Sequence, residues 1–315
     1  MSSLREVKDR IASVRSTLKI TSAMKLVASS KLLRAQRTIE ALRPYSEALG
    51  KILSQVQGGS DALSFRPERS GVEESPGPGP APHILLAFAG NASMCGAFNA
   101  NAIKAALQAA RACPGPVEAW AFGRKMAQAL SRAGVPVVRD FSPLIGKPDF
   151  DAVAAISAEL RALYQDGRIS GATLVYNHFV SAGRQQVVTE RYLEQRQTQQ
   201  ADNQGFEVNA CGEKAAGTAG KSLTVSNLAL TPDYIFEPSR GELLASLLPQ
   251  VLDLRLYAAL LDSVAAEHAA RMIAMQTATD NAENLLAELT LEYNKGRQQK
   301  ITSEILDLVA GEVRA

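Results

Sequence analysis

Residues 254–293 read LRLYAALLDSVAAEHAARMIAMQTATDNAENLLAELTLEY, and the fold follows from how that stretch is read. Alternate steps of four and three from Leu254 reach Ala258, Leu261, Ala265, His268, Met272, Met275, Thr279, Ala282, Leu286, Leu289 and Tyr293. This is the a/d seam of a left-handed coiled coil, sustained for about five heptads. Residues 250–313 hold no proline and only two glycines, Gly296 and Gly311. An unbroken helix over that span is on the order of 90 Å long, well beyond the width of a compact domain. Ala and Thr on the seam let a second helix approach closely, and a helix this long needs a partner along its length.

The partner stands at the other end of the chain. Ser3 and Glu6 have the spacing of a capping box, and Leu4, Val7, Ile11, Val14 and Leu18 follow as an apolar stripe. The stripe is expected to slip phase near Met24 and to resume as Leu32, Ala35, Ile39, Leu42, Ser46, Leu49, Leu53 and Val56, with Gly58-Gly59 ending the helix. Two heptad helices at opposite ends of one chain pair most simply antiparallel, leaving everything between them to form a separate lobe. The expected domains are an N-terminal coiled-coil helix at 1–57, a linker at 58–82, a lobe at 83–239 and a C-terminal coiled-coil helix at 240–315.

The lobe reads as alternating strands and helices. Strands are expected at 84–88, 117–122, 135–138 and 172–176, with helices at 97–112, 124–133 and 150–164 between them. That alternation gives an α/β lobe with a mainly parallel, Rossmann-like sheet. A further strand at 187–193 is expected at an edge, and short strands at 223–225 and 234–236. A short helix at 241–248 should lead to Pro249, a residue suited to the first turn of the long helix. Residues 76–80, Pro-Gly-Pro-Gly-Pro, cannot pack a core, and the Gln-, Gly- and Ala-rich residues 195–222 read as an insertion.

Composition is that of an ordinary soluble chain: 315 residues, 46% hydrophobic, 21% charged, net charge +2. No uninterrupted apolar run approaches the roughly 18 residues of a membrane span. Three cysteines without CxxC spacing argue against a disulfide framework or a zinc site. The three histidines, His83, His178 and His268, are scattered, so no metal or cofactor is expected. Asp149 and Asp151 flank a helix start and read as caps. Residues 215–222, AAGTAGKS, satisfy a loose phosphate-loop pattern, but no apolar strand precedes them and residues 223–230 alternate like a strand. A phosphate loop needs the opposite context, so Lys221 is read as a chance match. Glu6, Asp9 and the early start of the heptad stripe argue against a transit peptide, and residue 1 is read as the mature start.

Charge is unevenly spread. Residues 10–39 contain Arg10, Arg15, Lys19, Lys25, Lys31, Arg34 and Arg37 and no acidic residue. Like charges three and four apart disfavour an isolated helix, so this run points to an acidic neighbour. A nucleic acid would serve as that neighbour, but the run lacks interleaved aromatics and the net charge is modest. Nothing resembles a nucleophile, base and orienting group, so the chain itself is not read as an enzyme. A plain coiled-coil scaffold would explain the helices and leave the lobe unexplained.

Seven segments carry a resemblance. They are KITSAMKLVASSKL at 19–32, RPYSEAL at 43–49, MCGAFN at 94–99, DYIFEP at 233–238, EHAARM at 267–272, RMIAMQTATDNA at 271–282 and LTLEYNKGRQQKITSEI at 289–305. In order and spacing the chain resembles the gamma subunit of F-type, proton-translocating ATP synthases, the central rotor shaft. The resemblance implies a coil inside a ring of three alpha and three beta subunits, with the lobe below on the epsilon subunit and the membrane c-ring. It implies a non-catalytic subunit, peripheral to the cytoplasmic face of a bacterial cell membrane. By position, Met24 and Lys25 belong near the rotor–stator contact, and Lys31, Arg34 and Arg37 face acidic loops at the foot of the beta subunits. Arg271, Gln298, Thr302, Glu304 and Asp307 stand where the family's last helix meets its surroundings. Three departures stand out: Asn91-Ala92-Ser93 replaces the family's Asp-Arg-Gly, Gly296 replaces a common Ala, and the 195–222 insertion has one cysteine, Cys211. A single thiol there speaks against a regulatory dithiol.

Overall fold

A computed structural model describes residues 4–56, 81–113, 115–194 and 240–312. In chain order the elements are α1 (Leu4–Val56), β1 (His83–Phe88), α2 (Phe98–Ala112), β2 (Val117–Phe122), α3 (Arg124–Arg132) and β3 (Val137–Asp140). There follow α4 (Ser142–Gly146), α5 (Phe150–Gln165), β4 (Gly171–Ser181), β5 (Arg184–Glu194) and α6 (Arg240–Glu312). The expected strands at 223–225 and 234–236, the Gly58-Gly59 stop, the Ser3 half of the capping box, Lys221 and Cys211 lie outside the described residues.

The sheet runs β3-β2-β1-β4-β5. β3, β2, β1 and β4 are parallel, and β5 adds an antiparallel edge through a hairpin with β4. The order radiates from β1, as in one half of a doubly wound fold. Alternation along β1 sends Ile84, Leu86 and Phe88 to one face of the sheet and Leu85 and Ala87 to the other. On the first face they meet Trp120, Phe122, Val153 and Leu160, together with Leu252, Leu256 and Leu260 of α6. The second face is built small, with Ala119 and Ala121 against Ala102 and Ala106 of α2 and Met126 and Leu130 of α3.

Three local expectations are corrected. The third strand lies two residues later, at Val137–Asp140, and is followed by α4, a short helix that the pattern did not announce. Asp149 occupies the N-cap position of α5 but makes no side-chain cap hydrogen bond. The short helix before Pro249 and the long helix after it are one helix of 73 residues, with Pro249 inside. Proline removes one helical hydrogen bond but not the axis when packing holds both sides. Leu248 and Leu252 are buried on either side of it, and Arg161 of α5 donates to the Pro249 carbonyl and pairs with Asp253 one turn on. By composition one stretch of α6 is long and apolar enough to cross a membrane. Its leucines at 252, 256 and 260 are core residues of the lobe.

Candidate functional site

The two terminal helices form an antiparallel pair whose register is set by small and polar contacts. Thr279 Oγ1 donates to Thr21 Oγ1 at 3.0 Å in a buried position. Seventeen residues nearer the start of α1 and seventeen nearer the end of α6, Leu4 lies over Gly296. In the other direction Leu32 and Ala35 pack with Ala265 and Ala269. The spacing is equal on both helices, so the stripe does not slip near Met24. It continues through Thr21 and Ala28, both buried, and through half-buried Lys25. A hydroxyl, an ammonium and a methyl hide a seam from a reading by hydropathy, although Lys25 can lay its methylene stem along the seam with its charge at the rim.

The root of the pair is welded to the lobe. Glu267 of α6 is buried and forms an ion pair with Arg271 one turn on, at 2.6 Å, with side chains 6% and 13% exposed. Its carboxylate lies so close to the backbone beyond β1 that a Cβ on Gly90 would sit 2.8 Å from Glu267 Cδ. Two residues of the following turn do further work. Asn91 donates to the Ser142 carbonyl at 2.8 Å and accepts from the Arg124 backbone N–H at 3.0 Å, tying α4 and the start of α3 to the end of β1. An aspartate could accept here but not donate, so the departure to Asn91 has its own structural use. Cys95 is buried, its thiol pushed up by desolvation, with Asn99 Nδ2 donating to Sγ at 3.1 Å.

His268 is half-buried, and desolvation, then Arg271 and Lys31, push it down to about 4. It lines a cavity of about 440 Å³ between α1, α6 and the turn after α4. Lys31, Arg34, Lys147 and Arg271 also line it. The structure therefore gathers Lys31, Arg34 and Arg271, residues far apart in sequence, around one space. Arg37 is exposed on α1 and not part of it, and Met24 lies half-buried nearer the start of α1.

The other expected contact residues lie at the far end of α6. Beyond Gly296 every residue from 297 to 306 is exposed. Gln298 and Thr302 are there, the Thr302 hydroxyl donating back to the Gln298 carbonyl at 2.9 Å. Glu304 has Lys300 at 3.9 Å, and Asp307 belongs to the same helix. Leu291, Gln298, Ile301 and Ile305 form a stripe two residues off the seam, on the opposite side of the helix from α1. Ile301, Ile305 and Leu306 are 44%, 54% and 63% exposed. These positions were singled out by motif as expected contacts, while the cavity and the Glu267–Gly90 contact had no local signal. Among the described residues no cluster of His, Cys, Asp and Glu could hold a metal ion.

Comparisons with known proteins agree on what this arrangement is. A family model described as ATP synthase matches residues 3–313. The ATP synthase gamma chain of Bacteroides fragilis is 40% identical over 319 residues, covering 99% of each chain. That of Bacteroides thetaiotaomicron is 39% identical over 318 residues and the whole of both. Among solved structures, a chain of the Euglena gracilis mitochondrial ATP synthase superposes with a TM-score of 0.62 at 17% identity, covering 98% of this chain and 93% of that one. The last likeness speaks for the fold, whereas the identity to the bacterial chains is end to end. The chain belongs to the ATP synthase gamma chain family, and it is the non-catalytic central-stalk subunit of that enzyme.

Proposed function

We propose that the chain turns as a rigid shaft, its coil inside a ring of three alpha and three beta subunits and its 83–239 lobe on the epsilon subunit and the c-ring. In this reading the complex lies on the cytoplasmic face of a bacterial membrane. Rotation of the asymmetric coil then changes the conformations of the catalytic sites on the beta subunits. The observation that carries the proposal is the bare tip of α6: residues 297–306 are all exposed, and an apolar stripe there faces away from α1. Such a tip supports a surrounding partner, against which Gln298, Thr302, Glu304 and Asp307 would bear.

Lower on the coil, Met24 and Lys25 would stand at the rotor–stator contact. Arg271, spent on Glu267, would stiffen the shaft at the level where Lys31, Arg34 and Arg37 face acidic loops of the beta subunits. All three of those cations are exposed, and none has an ion pair with a described residue. Exposed pairs contribute about 0–1 kcal/mol each, so their effect would be collective and sensitive to salt. Replacing Lys31, Arg34 and Arg37 together with Gln is expected to leave assembly intact and to lower ATP-driven proton pumping relative to hydrolysis. The gap from wild type should narrow at high ionic strength. An unchanged pumping-to-hydrolysis ratio at low salt, in a fully assembled mutant, would refute the charge reading.

A further inference from the structure

The cavity at the root of the coil is not explained by a shaft that only bears and turns. A bearing surface is convex or flat, whereas this space is concave and of a size that holds small ligands. Its walls divide by chemistry. Ile145, Tyr257, Leu261 and Val264 give an apolar floor. Lys31 and Arg34 of α1, Lys147 of the α4–α5 turn and Arg271 of α6 bring four cationic side chains from three elements. The one carboxylate, Glu267, is buried and bound to Arg271. Three cations thus line the space with no acidic group among its other lining residues.

The histidine fits this imbalance. Arg271 Nη1 approaches His268 Nδ1 at 3.4 Å, and a guanidinium cannot accept a hydrogen bond. Nδ1 therefore accepts, and the neutral ring has its proton on Nε2. Burial and the neighbouring cations, Arg271 and Lys31, hold the ring neutral well below its ordinary range. A bound anion would offset the influence of the cations, while the burial would remain.

We propose that this cavity is an oxyanion site that takes a phosphate-class dianion, either free or as the phosphate of a small ester whose organic part lies on the apolar floor. Lys31, Arg34 and Lys147 would supply the charge, and the apolar floor would exclude water from one side of the ligand. Phosphate rather than carboxylate is favoured because three separate cationic side chains, two on α1 and one on the α4–α5 turn, match an anion with three or four acceptor oxygens better than a planar one with two. The proposal goes beyond the shaft reading and does not depend on it.

The test is calorimetric titration of the full-length chain with inorganic phosphate, pyrophosphate, phenyl phosphate and acetate at one fixed ionic strength. Saturable binding of pyrophosphate at one site per chain is expected, about tenfold weaker in the Lys31→Gln/Lys147→Gln double variant. Arg37→Gln removes the same kind of charge from the same helix outside the cavity, and should change binding by no more than about twofold. Phenyl phosphate binding more tightly than phosphate would identify an ester as the ligand class, and equal binding would identify the free ion. The chain has three histidines, so the His268 ring can be followed by NMR and assigned with His268→Gln. Pyrophosphate should raise its titration midpoint from about 4 and leave His83 and His178 unmoved. No saturable binding, or equal weakening by the cavity and Arg37 variants, would overturn the proposal. Acetate binding as well as pyrophosphate would overturn it too, returning these cations to the acidic-loop contact proposed above. The titration is made on the chain alone, so its failure is distinct from a failure of the shaft reading, which is read by the pumping-to-hydrolysis ratio of the assembled complex.

Discussion

Residues 252–269 and 297–306 of α6 belong to one continuous helix, and their surroundings differ in almost every respect. At the root, Leu252, Leu256 and Leu260 cover the sheet while Ala265 and Ala269 meet α1, so the helix is buried on several sides at once. At the tip no described residue from 297 to 306 is covered. The seam explains the change. It runs through Leu289 and Tyr293 to Gly296, over which Leu4, the first described residue of α1, already lies, so the positions beyond have no described α1 residue opposite them. The apolar residues of the tip have moved to the opposite side. A helix can thus be anchored by its own chain at one end and left for other chains at the other, with no break in its backbone.

The contrast is broken most directly by truncating one aliphatic side chain at each end. Leu260→Ala should cost about 2–5 kcal/mol, the usual range for a fully buried leucine. Ile305→Ala should cost less than about 0.5 kcal/mol in the isolated chain, since an exposed residue away from caps and networks contributes little. Chemical denaturation of the full-length chain reads both. A comparable loss at Ile305 would mean that the tip already packs on its own chain.

A smaller effect belongs to the root alone. His268 titrates at about 4 in the folded chain, against about 6.5 for an unperturbed histidine. Its contribution to stability is complete above about pH 6.5 and is lost as pH falls toward 4, because the unfolded chain takes up the proton first. His268→Gln should flatten that limb of a melting-temperature profile. Asp262, raised by burial against the opposing pull of His178, acts in the opposite sense and is common to both proteins. The difference between variant and wild type is therefore the quantity to read. No difference between pH 4 and 6.5 would place His268 in water, like the tip.

Midway along the coil, Thr21→Val should cost about 1 kcal/mol, the net value of one buried hydrogen bond. Thr279 keeps its second acceptor, the Met275 carbonyl at 2.8 Å, which limits the loss. The smallest change comes at the boundary between paired coil and bare tip. A Cβ on Gly296 would meet Leu4 Cδ2 at 3.1 Å, a contact with the end of a flexible, half-buried side chain. Gly296→Ala is expected to stabilise by up to about 1 kcal/mol, from helix propensity less the cost of moving Leu4. Net destabilisation in thermal melts would mean that Leu4 cannot yield and that the close approach fixes the register.

Much of this molecule was legible from local pattern. A seam of apolar residues at steps of three and four is visible because burial of one side of a helix repeats every 3.5 residues in a coil. The apolar strand at 84–88 and the edge position of β5 were equally local. The apparent phase slip near Met24 shows where such reading fails. Thr21, Lys25 and Ala28 occupy seam positions without looking apolar, and only the facing Thr279 shows that they belong there. Pro249 misled for a related reason, since its neighbours Leu248, Leu252 and Arg161 hold the helix through it.

By itself, then, the sequence determined two long heptad helices at its ends, an α/β lobe between them and, through its segments, the family. Those features depend on the order of residues within a few turns or one strand. The tertiary structure alone decided the unbroken register of the coil, the burial of Glu267 against Gly90 and the cavity where Lys31, Arg34, Lys147, His268 and Arg271 converge. These join residues separated by more than a hundred positions. Such contacts depend on where whole elements pack, and no periodicity within a single element records that.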